Sequence, residues 1–387
     1  MEVLQLEPLD VFSIRSARPF DIGGVVHADF VWPPPPWTVL GALRGALSEL
    51  LGLPAVEYGR LESTHPKFEL VKRVLGEPDG AAKFQIGPVL PAVQTTGPNG
   101  PRLSLRWPVP ADLIAVQDVS GQRRIERLEA IEPPTGTACS MREGRTHILI
   151  PPPRLEEHAA KSLGIRALDG GLLGQWLQGA PTMTAPDPAT GESDFETEPR
   201  IGIQIDPERN TVAEGRFYVR TAVQLRKDRV LALPIVDKGQ DIPWHQIDGY
   251  AVRFGADGHL VRVRQPQAAE VPSCPASTEL HRARLLCVGP IHPDDIDALE
   301  NRKPAVRVHA VAAGRPVKIG GWHLVAEKRN GTEHQRGPRT LRTYYPPGTV
   351  LYVESESDLR ELHCRNLAKR EEEKAAGFGF CLVGLWE

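Results

Sequence analysis

Cysteine is sparse and unpaired in this 387-residue chain: Cys139, Cys274, Cys287, Cys364 and Cys381 include no Cys-x-x-Cys pair. An odd, scattered set excludes a zinc finger and a disulfide framework and points to a reducing compartment. The 12 histidines contain no His-x-x-x-His or His-Glu-x-x-His pair, so no helix-borne metal site is expected. Also missing are a Gly-x-Ser-x-Gly elbow, a Walker A loop and a Gly-x-Gly-x-x-Gly turn, which leaves no catalytic or cofactor motif to build on. No apolar run approaches the roughly 18 residues of a membrane span. The first residues carry no basic n-region or long apolar core, so a cytoplasmic location is the expectation. Net charge is only -3, so any nucleic-acid surface must be local.

Proline and glycine, by contrast, are abundant, with 37 and 36 residues. They predict many turns and irregular loops. The stretch around which the chain is organised begins at Arg15 and passes Arg18, Gly23, Gly24 and His27. It reaches Trp32, four prolines from Pro33 to Pro36, and Trp37. The prolines act as a rigid spacer, and the paired glycines admit positive φ or close backbone approach. Such a loop presents cations and N–H groups to an anion. A helix capped by Thr38 should follow, with Val39, Leu40, Leu43, Leu47, Leu50 and Leu51 on one face, Gly52 at its end and Arg44 emerging beside the packed face.

Further along, periodicity predicts a first strand over 3–12, with Pro8 at an edge or bulge. Helices are expected over 66–75, 171–177, 294–301 and 359–375, and a flexible linker over 181–199. From Pro199 onward the texture turns to strands, among them 200–206, 215–225 and a hairpin over 250–263. Short strands mixed with few helices, twice over, give an α+β class with two domains, 1–195 and 196–387.

Charge supplies the second signal. Between 301 and 350 stand ten Lys and Arg against Glu327 and Glu333. Lys318, Arg336 and Arg339 are among the cations, and Trp322, Tyr344 and Tyr345 are interleaved. Guanidiniums for phosphates with flat rings for bases describe a single-stranded RNA surface; the plainer reading is a solvated basic loop. Gly320-Gly321 reads as a tight turn able to offer N–H groups to phosphate. The terminal Gly377-Phe-Gly379 run, which precedes a strand, reads as a Gly-rich turn lying against a backbone.

In order, Leu6-Glu-Pro-Leu-Asp10, Arg18-Pro-Phe20 with Gly23-Gly24, and Pro33–Pro36 running into Leu40-Gly-Ala-Leu-Arg44 resemble one family. So do Glu198-Pro-Arg-Ile-Gly-Ile203, Glu214-Gly-Arg-Phe-Tyr218, Gly320-Gly-Trp322, Pro347-Gly-Thr-Val-Leu-Tyr352 and Gly377-Phe-Gly379. The family is the third RAMP subunit of the type III-B CRISPR Cmr effector complex. Trp37 departs from it, since a small hydroxyl residue is usual after the prolines, and 55–190 adds little that matches. The resemblance implies two ferredoxin-like (RRM-type, RAMP) domains with long irregular insertions. It also implies a non-catalytic subunit without cofactor or metal, which holds the 5′ handle of the crRNA. Its protein partners would be the large polymerase/cyclase-like Cmr subunit and a neighbouring backbone RAMP subunit. Contacts to the handle are expected from Arg15, Arg18, His27, Arg44, Lys318, Trp322, Arg336 and Arg339, with Gly23, Gly24, Gly320, Gly321, Gly377 and Gly379 lining the path. The rival expectation is a metal-independent RAMP-type endoribonuclease that processes precursor crRNA with His27 as general acid/base.

Overall fold

The computed structural model describes the chain except residues 15–26, 29, 61, 98–99, 118–122, 136–143, 156–159, 162–166, 185–192, 207, 210, 256–257, 277–278, 324–326, 330–331, 335–336 and 387. Its residues fall into two compact units, each assembled from three segments. Unit 1 takes 1–103, 193–269 and 318–343; unit 2 takes 104–192, 270–317 and 344–387. These are not the contiguous halves expected from sequence. Each unit contains a segment that lies, in chain order, between two strands of the other.

In unit 1 the alternating apolar start forms β1 (Glu2–Pro8), followed by α1 (Pro36–Leu50), α2 (Phe68–Leu75) and β2 (Leu90–Gly97). A long hairpin of β3 (Phe195–Asp206) and β4 (Thr211–Leu225) precedes β5 (Arg229–Asp237), β6 (Ala251–Arg253) and β7 (Leu260–Ala268). The main sheet runs β6-β7-β1-β5-β2, with antiparallel neighbours, and continues into Gly100–Leu105. Counting β1, β2, β5 and β7 as first to fourth, the spatial order is fourth, first, third, second. β1 is therefore a central strand, not the edge that Pro8 suggested; Pro8 simply ends it.

The helix after the prolines starts three residues earlier than predicted. Extended Pro35 is its N-cap and makes no side-chain cap bond, so Thr38 lies inside the first turn. Pro36 takes the first helical position, where its fixed φ fits and no N–H is needed. Val39, Leu40, Leu43 and Leu47 are fully buried, and each such Leu is worth roughly 2–5 kcal/mol against Ala. Gly52 closes the helix at positive φ, as read from sequence.

Unit 2 has the same order. Its strands are β8 (Arg282–Cys287), β9 (Val306–Ala312), β10 (Thr349–Ser355) and β11 (Phe380–Leu385). Helix α3 (Gly170–Leu177) comes earlier in the chain; α4 (Pro293–Glu300) follows β8, and α5 (Glu371–Ala376) precedes β11. Read from the edge strand Arg365–Asn366, the sheet continues β11-β8-β10-β9, again fourth, first, third, second. One face buries Leu285, Cys287, Val308, Leu351, Val353 and Val383 with Ile296 and Leu299 of α4. The helix expected over 294–301 is α4; the adjacent acids Asp294 and Asp295 start it, with a capping box between His292 and Asp295.

Two further elements differ from expectation. The single helix over 359–375 is instead a 3-10 turn (Leu359–Leu362), the strand Arg365–Asn366 and α5. Cys364 has φ 59°, which no α-helix tolerates. The 181–199 linker contains strand Thr182–Thr184 and the start of β3, and only its 185–192 part lies outside the described residues.

Candidate nucleic-acid interface

The basic segment divides between the two units. Arg302, Lys303, Arg307 and Arg315 belong to unit 2; Lys318 to Arg342 belong to unit 1. Within unit 1, Gly320-Gly321 links strand Val317–Ile319 to a short strand, Trp322–His323, paired with Gly337–Pro338; the expected tight turn is not formed there. Lys318 and Gly321 are exposed there, and the Trp322 indole is 59% exposed. The segment thus leaves both a flat apolar ring and a cation in water, the two kinds of group that single-stranded RNA uses.

Arg339 is differently engaged. Its guanidinium lies 4.5 Å over the Trp37 ring and donates from Nη2 to Asp79 Oδ1 at 3.0 Å. Its side chain is only 16% exposed. Gly321 packs closely against this stack: a Cβ there would sit 3.1 Å from Arg339 Cδ and 3.4 Å from Trp37 Cβ. Its N–H-bearing neighbour strand is also tied, with Arg339 N–H donating to Gly321 O.

Arg44 corrects the sequence reading. It is 4% exposed and points inward. Its Nη1 donates to Pro78 O at 2.7 Å and Nη2 to Gly80 O at 2.8 Å, so it grips the turn on both sides of Asp79. Burial holds the guanidinium below its ordinary pKa, offset by Tyr58 and Asp79. Burial likewise pushes Tyr58 up to about 12, and its hydroxyl donates to Gly76 O. Arg44 is thus a structural cation, out of reach of a phosphate.

The terminal glycines are corrected in the same sense. Gly377 and Gly379 are buried in unit 2, which removes them from a surface path. Gly377 ends α5 in the left-handed region at φ 95°. Gly379, at φ 66°, abuts the backbone of Leu367 and Ala368. The expected turn packed against a backbone is what the structure has.

Arg15, Arg18, Gly23, Gly24 and Arg336 lie outside the described residues. Of His27 the backbone is described: it pairs in parallel with Val219 of β4. Trp37 and Asp79 were missed as site residues. Asp79 sits in Glu77-Pro78-Asp79-Gly80, whose turn chemistry is legible, but nothing local links it to a residue 260 positions away.

The family model for CRISPR-associated protein (Cas_Cmr3) matches residues 4–386. The chain belongs to this family. Membership agrees with the resemblance to the third Cmr RAMP subunit carried by the Pro-rich entry to α1 and the glycine motifs. Among solved structures, a chain of the type III-B Cmr-beta complex bound to cognate target RNA and AMPPnP is similar at 15% identity and TM-score 0.45, over 90% of this chain and 86% of that one. A chain of the Csm1-Csm4 cassette in complex with cA4 is similar at 14% identity and TM-score 0.38, over 100% and 98%. None of the curated proteins compared with the sequence matches it. Among the described residues, this Cas_Cmr3 member has no His/Cys/Asp/Glu group able to hold a metal ion, and no helix long and apolar enough to cross a membrane.

Proposed function

We propose that this Cas_Cmr3 chain is the non-catalytic RNA-holding subunit of a type III-B effector complex. It grips the crRNA 5′ handle and docks on the large polymerase/cyclase-like subunit beside a backbone RAMP subunit. The observation that carries the reading is the exposed Trp322–Lys318 surface on the basic segment of unit 1, within a chain of this family.

Sheet topology supports the remainder. The fourth-first-third-second order in both units is that of a split βαβ, in favour of two ferredoxin-like domains. Domains of that order often stack bases on the sheet face opposite their helices. In unit 2 that face is closed: Arg284 on β8 is fully buried, with its guanidinium 4.1 Å over Trp176 of α3. RNA is thereby directed to the basic segment rather than to that sheet.

The test is binding of handle RNA to the full chain across a salt series. Lys318→Ala should weaken binding and make the log–log salt slope shallower by about 0.7. Trp322→Ala should weaken it with the slope kept, as loss of a stack would. Unchanged affinity in both variants rejects this surface as the RNA site, and cutting of repeat RNA by the purified chain rejects the non-catalytic assignment.

A further inference from the structure

We infer that Asp79 and Arg339 form a positioning clamp that sets how the basic segment presents Lys318 and Trp322 to RNA, and that Arg339 is not itself a phosphate ligand. The inference rests on the RNA reading of this surface and adds a mechanism to it. It starts from an oddity of charge. An RNA-binding surface gains nothing from a carboxylate next to its arginines, because that acid repels phosphate and neutralises the cation it touches. Yet Asp79 lies 3.0 Å from Arg339, with both side chains mostly out of solvent at 11% and 16% exposure.

The geometry accounts for the acid as an anchor. Arg44, fixed in α1, clasps Pro78 O and Gly80 O and so holds the turn that carries Asp79. Asp79 then holds the guanidinium edge of Arg339, while Trp37, at the start of α1, covers its face. A planar guanidinium fits both partners at once; an ammonium offers neither the fork nor the stack. Gly321, where an added Cβ would meet both Trp37 and Arg339 and whose O accepts from Arg339 N–H, ties this to the residue directly before Trp322. The helix after the prolines is therefore connected, through one turn and one arginine, to the exposed indole. Trp37, the departure from the family pattern, has a role here that a small hydroxyl residue would not fill.

Electrostatics alone and the clamp predict opposite signs. Asp79→Asn removes a negative charge near RNA, which by itself tightens binding. The clamp predicts instead a loss of roughly tenfold, the scale of a charge-assisted hydrogen bond, with the salt slope unchanged because no phosphate contact is lost. Arg339→Lys keeps the charge, and a phosphate ligand would survive it; the clamp predicts the same loss as for Asp79→Asn. Binding is measured with handle RNA and the full chain, and cooperative melting of each variant confirms the fold. Should Asp79→Asn not melt cooperatively, Asp79→Glu, which keeps the charge but changes its reach, is expected to weaken binding in the same direction. Tighter or unchanged binding in the Asp79 variant, or retained binding in Arg339→Lys, overturns the clamp while a weakening by Lys318→Ala keeps the RNA reading. If Lys318→Ala and Trp322→Ala change nothing, the RNA reading falls, and the clamp with it.

Discussion

Arginines carry different burdens in this chain, and burial decides which. Arg284 is fully buried, donating to Leu385 O at 2.8 Å, Trp176 O at 2.6 Å and Asp112 Oδ2 at 3.4 Å. Asp112 is equally buried and also accepts from Trp176 Nε1 and Tyr352 Oη, each at 3.0 Å. Removing one partner leaves an uncompensated buried charge. Arg284→Met should cost about 3–5 kcal/mol, and adding Asp112→Asn should recover much of it. Urea midpoints of the single and double variants check this. The arrangement was not legible from sequence. Nothing in the local sequence marks Arg284 as buried, and the carboxylate lies 172 positions away. The same applies to Arg44, which helical periodicity put beside the packed face and the fold put inside it. Lys318 and Trp322 could be picked out as candidates, and both are exposed, because a basic run with an aromatic needs no tertiary partner to be noticed.

Elements follow local chemistry where it is strong. The strands at β3 and β4, the β6–β7 hairpin and helix α4 emerge where they were read, since turn residues and periodicity agree there. What remained hidden is how segments are fastened to one another. In unit 2, residues 146 and 147 dock on β9 by donating from both backbone N–H groups to His309 O. Thr146 Oγ1 lies 2.6 Å from His309 Nδ1 and 2.9 Å from His147 Nδ1, and His309 Nε2 lies 2.9 Å from Glu354. Burial, first of all, holds both imidazoles below the ordinary histidine range, although Glu354 acts the other way on each. In the unfolded chain they take up protons near pH 6.5. Their neutral form is thus favoured by folding: the stabilisation is present above that pH and lost as pH falls through the lower native values. The urea midpoint should drop between about pH 7.5 and about pH 5.5, and the drop should be smaller in His147→Gln. An equal drop in both proteins would assign the effect to other groups.

At the scale of the molecule, the two units exchange segments at the same topological position. In unit 1 the chain between second and third strands, β2 and β5, includes residues 104–192 of unit 2; in unit 2 the chain between β9 and β10 includes residues 318–343 of unit 1. A break placed near 195 by composition therefore cuts through both. Fragment 1–195 would keep β1, α1 and β2 but lose β5 and β7, the strands that flank β1 on either side. Four buried residues in a row, Val3 to Leu6, would then have unpaired backbone and exposed side chains. Fragment 196–387 would retain the sheet of β8 to β11 but lose Asp112 and Trp176, leaving Arg284 without its acid or its cover. The expected outcome is no cooperative thermal transition for 1–195, and for 196–387 a transition well below that of the full chain. Circular dichroism melts of the two fragments, alone and mixed, decide it. A cooperative melt of 1–195 by itself would restore the contiguous division and contradict the exchange, because a central strand stripped of both neighbours cannot hold a sheet together.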